Sequence, residues 1–153
     1  MINPYLISHR GNVSGRDVNR ENSPDYIMEA INQGYHVEID VWYVFPNGYM
    51  LGHDDPVFPV TEAFLTHENL WIHAKTPDTL LRLLPNPKIK CFYHDTADCT
   101  IISNGKVWGF PRFSPNKNTI FYLSNPMEIH APMYTKLYGI CCDKVSFFRE
   151  IFE

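Results

Sequence analysis

Long hydrophobic runs are missing from this chain: no apolar stretch approaches the roughly 18–20 residues that a membrane-spanning helix needs. The start, Met1-Ile2-Asn3-Pro4, lacks the basic stretch followed by an apolar core of a secretory signal. These two absences set the expectation of a soluble, cytoplasmic chain with no membrane span. A surplus of charge of one sign is missing too, with 13 basic against 17 acidic residues and a formal net charge of −4. No broad electrostatic footprint for nucleic acid or an anionic membrane follows, so any bound anion must be caught by a few placed cations. Cysteine is scarce and unpatterned: Cys91, Cys99, Cys141 and Cys142 form no CxxC pair and no finger spacing. Neighbours such as Cys141 and Cys142 do not normally bridge each other, and reduced thiols in an intracellular core are expected. Internal repeats and low-complexity segments are absent, which excludes solenoids and arrays.

What is present is enough apolar mass for one core. With 153 residues, 44% hydrophobic and 14% aromatic, residues 1–153 read as a single domain. The organising stretch is Tyr35 to Asp55, YHVEIDVWYVFPNGYMLGHDD. Val37, Ile39 and Val41 alternate with Glu38, Asp40 and Trp42, so a strand here places two carboxylates on one face. Asn47-Gly48 is a strong hairpin signal, and a turn closing between Val44 and Tyr49 carries His53 back toward the middle of the strand. Two acids and an imidazole converging point to metal or acid-base chemistry.

In chain order, Tyr5 to Ser8 is a short strand ending in His9-Arg10-Gly11. Ser23 is a helix cap with Pro24 at the first helical position, and Gly34 stops the helix. Strand, loop, helix and strand make a βαβ unit, with 5–9 expected parallel to 35–42. Thr61 to Leu65 reads as a single helical turn, and Leu70 to Lys75 as a buried strand with His73 and Lys75 at period two. A short helix from Thr79 to Leu84 is ended by Pro85 and Pro87. Ile89 to His94 is the next strand. Thr100 to Ile102 and Lys106 to Trp108 are a hairpin around Gly105, and Thr119 to Leu123 and Tyr138 to Cys142 are the last strands before an aromatic segment, Val145 to Phe152. About six or seven strands with two proper helices are too few for a complete (β/α)8 barrel of typically ~250 residues. The expected fold class is α/β, a reduced TIM-type (β/α) barrel with several crossover helices shortened or missing.

ISHRG at 7–11, ENS at 21–23, VEIDV at 37–41, NGYMLGHDD at 47–55 and WIHAK at 71–75, in this order and spacing, resemble the glycerophosphodiester phosphodiesterase family. That family belongs to the phospholipase-C-like phosphodiesterase superfamily of TIM barrels, and the likeness is concentrated before Lys75. The resemblance implies that His9 and His53 are an acid-base pair and that Arg10 and Lys75 bind the substrate phosphate. It further implies that Glu38 and Asp40 are metal ligands, and that Glu21 and Asn22 support the site. Where the family has a third acidic ligand two residues before the lysine, this chain has His73. Mg or Ca is the divalent ion the resemblance implies, whereas an imidazole ligand suits Mn or Zn. The 54–70 connection is too short for the subdomain that helps typical members read the glycerol end.

The implied activity is metal-assisted phosphodiester cleavage, glycerophosphodiester-like or related, on a small-molecule phosphodiester with no nucleic-acid partner. A base activates the nucleophile, an acid protonates the leaving alkoxide, and cations neutralise the phosphoryl oxygens. The alternative is a catalytically impaired phosphate-ester binding module on the same scaffold. His36, His67, His94 and His130 read as satisfied polar residues, with His94 closest to the expected site. Asp98 and Asp143 either support the site or serve as loop caps, and Trp108 reads as core or rim.

Overall fold

The computed structural model describes residues 3–128 and 131–153. Strand β1 (Tyr5–His9) leads through helix α1 (Pro24–Asn32) to β2 (His36–Val44). As the sequence predicts, β1 and β2 are parallel, with His9 opposite Glu38. The Ser23 side chain accepts the Tyr26 amide at the helix start, and Gly34 leaves the helix at φ +88°, a conformation that favours glycine. The hairpin returns as β3 (Gly48–Leu51), one residue out of the expected register, with Val44 opposite Gly48 and Tyr43 opposite Tyr49. A two-residue strand, β4 (Phe58–Pro59), extends it.

Helix α2 (Glu62–Leu65) precedes β5 (Leu70–Ala74), which lies parallel to β2 with Asp40 opposite His73. Helix α3 (Pro77–Leu83) leads to β6 (Cys91–Tyr93), parallel to β5. Strands β7 (Cys99–Ile101) and β8 (Val107–Gly109) form an antiparallel hairpin, and β9 (Thr119–Leu123) runs parallel to β8. After helix α4 (Ala131–Tyr134), β10 (Gly139–Cys142) enters between β9 and β1, parallel to both, and helix α5 (Ser146–Phe152) ends the chain.

The expected reduced (β/α) barrel does not form. The structure is a curled, mixed sheet of ten strands with a few short helices, the longest of nine residues. Two causes are visible. The β2–β3–β4 and β7–β8 segments are antiparallel hairpins, closed by tight turns where a barrel would place crossovers. The β8-to-β9 connection, 110–118, carries Pro111 and Pro115 and no helix. The curl brings β6 to the β7 end, where the Ser103 amide donates to the Cys91 carbonyl at 2.9 Å and the Thr100 hydroxyl to the Tyr93 carbonyl at 2.8 Å.

Strand alternation separates two environments. Val37, Ile39, Val41, Leu70, Ile72 and Ala74 face outward and pack with Ile27 and Ala30 of α1 and Leu83 of α3. On the other face Ile7, Trp71, Phe92, Trp108, Ile120 and Cys141 form a second apolar cluster. Glu38, Asp40 and His73 share strand parity with that inner set, at the carboxyl ends of the parallel strands. All four cysteines are free thiols, three of them buried and Cys99 half-buried. No helix among the described residues is long and apolar enough to cross a membrane.

Helix α3 is pinned to β2 by one buried hydroxyl. Thr79 Oγ1 accepts the Tyr43 amide at 2.9 Å and lies 2.8 Å from the Thr76 hydroxyl. Thr79→Val keeps the shape but orphans a backbone N–H, so chemical denaturation should show a loss of about 1–3 kcal/mol.

Candidate functional site

The site begins where β1 ends. Arg10 and Asn22 both sit at positive φ, +58° and +63°. Asparagine tolerates this region; for arginine it is a local strain of about 1–3 kcal/mol that the surroundings must hold. They hold it through the backbone: the Arg10 amide donates to the Glu38 carbonyl at 2.8 Å and the Asn22 amide to the Arg10 carbonyl at 3.0 Å. Gly11 follows at φ +94°, and a Cβ there would lie 2.7 Å from the Tyr26 ring, so the third position of His-Arg-Gly has room for glycine alone.

His9 is fixed from behind. Its Nδ1 lies 2.8 Å from Asp143 Oδ1, which also accepts from Asn12 Nδ2 at 2.9 Å. A carboxylate only accepts, so Nδ1 carries the proton toward Asp143 and Nε2 faces Glu38, 3.6 Å from its Oε2. Burial alone would lower the His9 pKa, but the Asp143 hydrogen bond and the Glu38 charge outweigh it and raise the value. Asp143 therefore supports the site rather than capping a loop. Asp98 is exposed and does not line the cavity.

The two carboxylates of β2 have opposite surroundings. Asp40 Oδ2 accepts from Asn22 Nδ2 at 2.9 Å and lies 3.1 Å from Arg10 Nε. Its Oδ1 lies 3.1 Å from His73 Nδ1 and 3.6 Å from Lys75 Nζ. Burial pushes its pKa up, yet the His73 hydrogen bond and the Arg10 charge prevail and hold it well below the usual carboxylate range. Glu38 is as deeply buried, but its Oε2 has no hydrogen-bond partner, and Oε1 is 4.0 Å from His73 Nδ1. Burial, and then the neighbouring Asp40 charge, raise its pKa.

Glu21 receives Arg10 Nη1 at 3.1 Å, Asn12 Nδ2 at 3.0 Å and Arg16 Nε at 2.8 Å. Burial acts to raise its pKa, but these donors bring it down to about 2. Asn22 clamps Asp40 twice, its Oδ1 also accepting the Asp40 amide at 3.0 Å. Glu21 and Asn22 thus stand behind Arg10 and Asp40, where the sequence places a supporting pair.

His53 reaches the rim rather than the centre. The return arm does come level with Asp40, whose carbonyl accepts the Gly52 amide at 3.2 Å. The His53 side chain is 42% exposed, however, with Nδ1 2.7 Å from Asp54 Oδ1. A cavity of about 320 Å³ is lined by His9, Arg10, Glu38, Asp40, His53, His73 and Lys75 together. Aromatic rings complete the lining, with Phe92 stacked on His73, Tyr122 tilted against His9, and Trp108, Phe110, His94 and Asp95 beside them. Trp108 is both core and wall, and His94 stacks on Phe110 at 3.9 Å. His36 accepts from Trp71 Nε1 and His67 from the Asn69 amide, as satisfied polar residues do. His130 lies outside the described residues.

Among the described residues, Glu38, Asp40 and His73 each offer a ligand atom within 4.8 Å of the others. The unpartnered Glu38 oxygen fits a cation there, because a buried bare carboxylate is costly. Sequence reasoning missed Asn12, Tyr122, Phe92 and Phe110. Asn12 directly follows the His-Arg-Gly triplet and was within reach; the aromatic wall depends on strand pairings that local pattern does not encode. No protein-family model matches the chain, and neither a curated protein nor a solved structure does.

The contrast between the carboxylates is measurable. At pH 7 without divalent ions, Asp40→Asn should lose roughly 3–5 kcal/mol in chemical denaturation, because it strips the partner from Arg10 and Lys75. Glu38→Gln replaces a buried carboxyl whose Oε2 has no hydrogen-bond partner and should leave stability unchanged or raised. Equal losses in the two variants would contradict this account.

Proposed function

We propose that the chain is a phosphoric diester hydrolase acting in the cytoplasm on a small-molecule phosphodiester, glycerophosphodiester-like or related. The observation that carries this reading is the shared cavity. One wall joins a buried, unpartnered Glu38 carboxylate, a histidine held by Asp143, and the cations Arg10 and Lys75. The five motifs that resemble the glycerophosphodiester phosphodiesterase family supply these residues in the expected order, apart from Asp143. The small net charge favours a small molecule over nucleic acid.

In this reading His9 and His53 flank the phosphorus. One imidazole takes the proton of the attacking hydroxyl as its oxygen bonds to phosphorus; the other returns a proton to the leaving alkoxide as its P–O bond breaks. Asp143 keeps the His9 Nδ1 proton in place, so that Nε2 does the transfer. Arg10 and Lys75 lie against the negative charge of the non-bridging oxygens. Glu38, Asp40 and His73 would hold a divalent ion, Mg or Ca by resemblance and Mn or Zn by the imidazole. Such an ion supplies further charge neutralisation on the phosphoryl group.

A second reading is supported by two observations: Asp40 already has both oxygens engaged by protein donors, and His53 stands at the rim. Both suit a phosphate-ester binding module with little turnover. Turnover of bis(p-nitrophenyl) phosphate with millimolar Mg, Ca or Mn separates the two. The hydrolase reading expects His9→Ala and His53→Ala each to lose roughly 100-fold or more in rate. Calorimetric binding of phosphate esters with no turnover by the unsubstituted chain would favour the module.

A further inference from the structure

The cavity has a second half that the acid-base and phosphoryl groups leave unused. Phe92 stacks parallel to His73, with centroids 5.2 Å apart and planes at 5°, and also to Trp108, at 4.6 Å and 20°. Phe92 therefore has its faces covered within the stack and turns its edge to the cavity. Phe110, on the same lining, is half-buried and stacked on His94, with Tyr122 tilted against it at 6.0 Å. These rings come from β6, β8, β9 and the loops beside them, outside every motif that marks the phosphoryl half.

The geometry selects among ligand chemistries. A quaternary ammonium group needs open ring faces, since the face is the negative part of the ring and the edge the positive part. Here both faces of Phe92 are covered, by His73 and by Trp108. Lys75 and Arg10 share the cavity with Glu38, Asp40 and Asp95, so charge alone does not select the ligand. A polyol needs several hydrogen-bond partners, and the aromatic side offers the Tyr122 hydroxyl, Asp95 and a His94 whose Nε2 is already engaged with the Ala97 carbonyl. A flat neutral ring needs neither a counter-charge nor several hydrogen bonds, and it packs on ring edges or on Phe110.

We infer that the Phe92–Trp108–Phe110–His94 wall is a subsite for a planar, uncharged ring, so that the substrate is a diester with an aryl or nucleobase-like group on one ester arm. This rests on the phosphodiester reading for the other half of the cavity. The ring half is independent of the bond-breaking step and can be tested by binding alone.

The test is calorimetric titration with phenylphosphonate, methylphosphonate and phosphocholine at pH 8.5 with millimolar Mn²⁺. Phenylphosphonate should bind roughly tenfold or more tightly than methylphosphonate, as expected for one stacked ring. Phosphocholine should bind no more tightly than methylphosphonate. Phe110→Ala should abolish the phenyl preference and leave methylphosphonate affinity unchanged. His94→Ala should reduce that preference and serves as the second variant if Phe110→Ala does not fold. The inference is overturned if methylphosphonate binds and phenylphosphonate binds no better, if phosphocholine binds best, or if the preference survives the substitutions. Phenylphosphonate binding without methylphosphonate binding keeps the ring subsite and removes the phosphodiester reading; binding of neither removes both.

Discussion

Two carboxylates buried two residues apart on one strand are the constraint around which this structure is arranged. Each carries a desolvation cost of several kcal/mol if left charged and alone. Asp40 meets it with Asn22, Arg10, His73 and Lys75, drawn from three separate segments. Glu38 Oε2 has no hydrogen-bond partner, and the imidazoles of His9 and His73 stand off its two oxygens at 3.6 and 4.0 Å. The positive φ of Arg10 and Asn22 goes with this arrangement: in that turn the guanidinium meets Asp40 while the Arg10 amide bonds the Glu38 carbonyl. Strain in the turn and charge on the strand are thus two sides of one arrangement.

The same strand explains why so small a chain can hold the site. Parallel pairing of β1, β2 and β5 brings His9, Glu38, Asp40 and His73 to one end of the sheet through backbone hydrogen bonds alone. Helices are needed only to cover the outward apolar residues, and α1 and α3 do so beside β2 and β5. Phe148 of α5 and Tyr134 of α4 cover Phe121, Leu123 and Ile140 of β9 and β10 in the same way, and hairpins and proline-rich loops make the remaining connections of the curled mixed sheet. The aromatic cluster that fills the inside of the curl is also the wall of the cavity, so core packing and ligand shape are set by the same rings.

How much of this the sequence revealed depends on the range of the interaction. The strand from Val37 to Val41, the Ser23 cap, the Gly34 stop and the parallel β1–β2 pairing rest on local alternation and turn chemistry, and they are present in the structure. The shared face of Glu38 and Asp40 was readable from alternation, whereas Arg10 and Lys75 were joined to them only through the resemblance of the motifs; His53, expected from the hairpin to converge with the two acids, reaches only the rim. The global shape was not readable in this way. Whether a connection becomes a crossover helix or a loop depends on what the sheet must cover, and short apolar runs such as Thr119 to Leu123 carry no record of which strands they will lie between. Asp143 shows the same limit: 134 residues separate it from His9, and only the insertion of β10 beside β1 brings them together.

The charges around the cavity bear on how it would take a phosphate ester. Glu21, Glu38, Asp40, Asp95 and Asp143 are five carboxylates; Arg10, Arg16 and Lys75 are three fixed cations, of which Arg16 is spent on Glu21. Cations are outnumbered even with His9 protonated, so the fixed groups exert no net pull on an anion. An added phosphoryl group would meet repulsion from Glu38 at short range, in surroundings where a buried charge is screened far less than at the surface. A divalent ion against the free Glu38 oxygen changes the sign of that interaction. In the proposed reading, cation and ester therefore bind as a pair, and the one carboxylate the fold leaves unpartnered is the one that couples them.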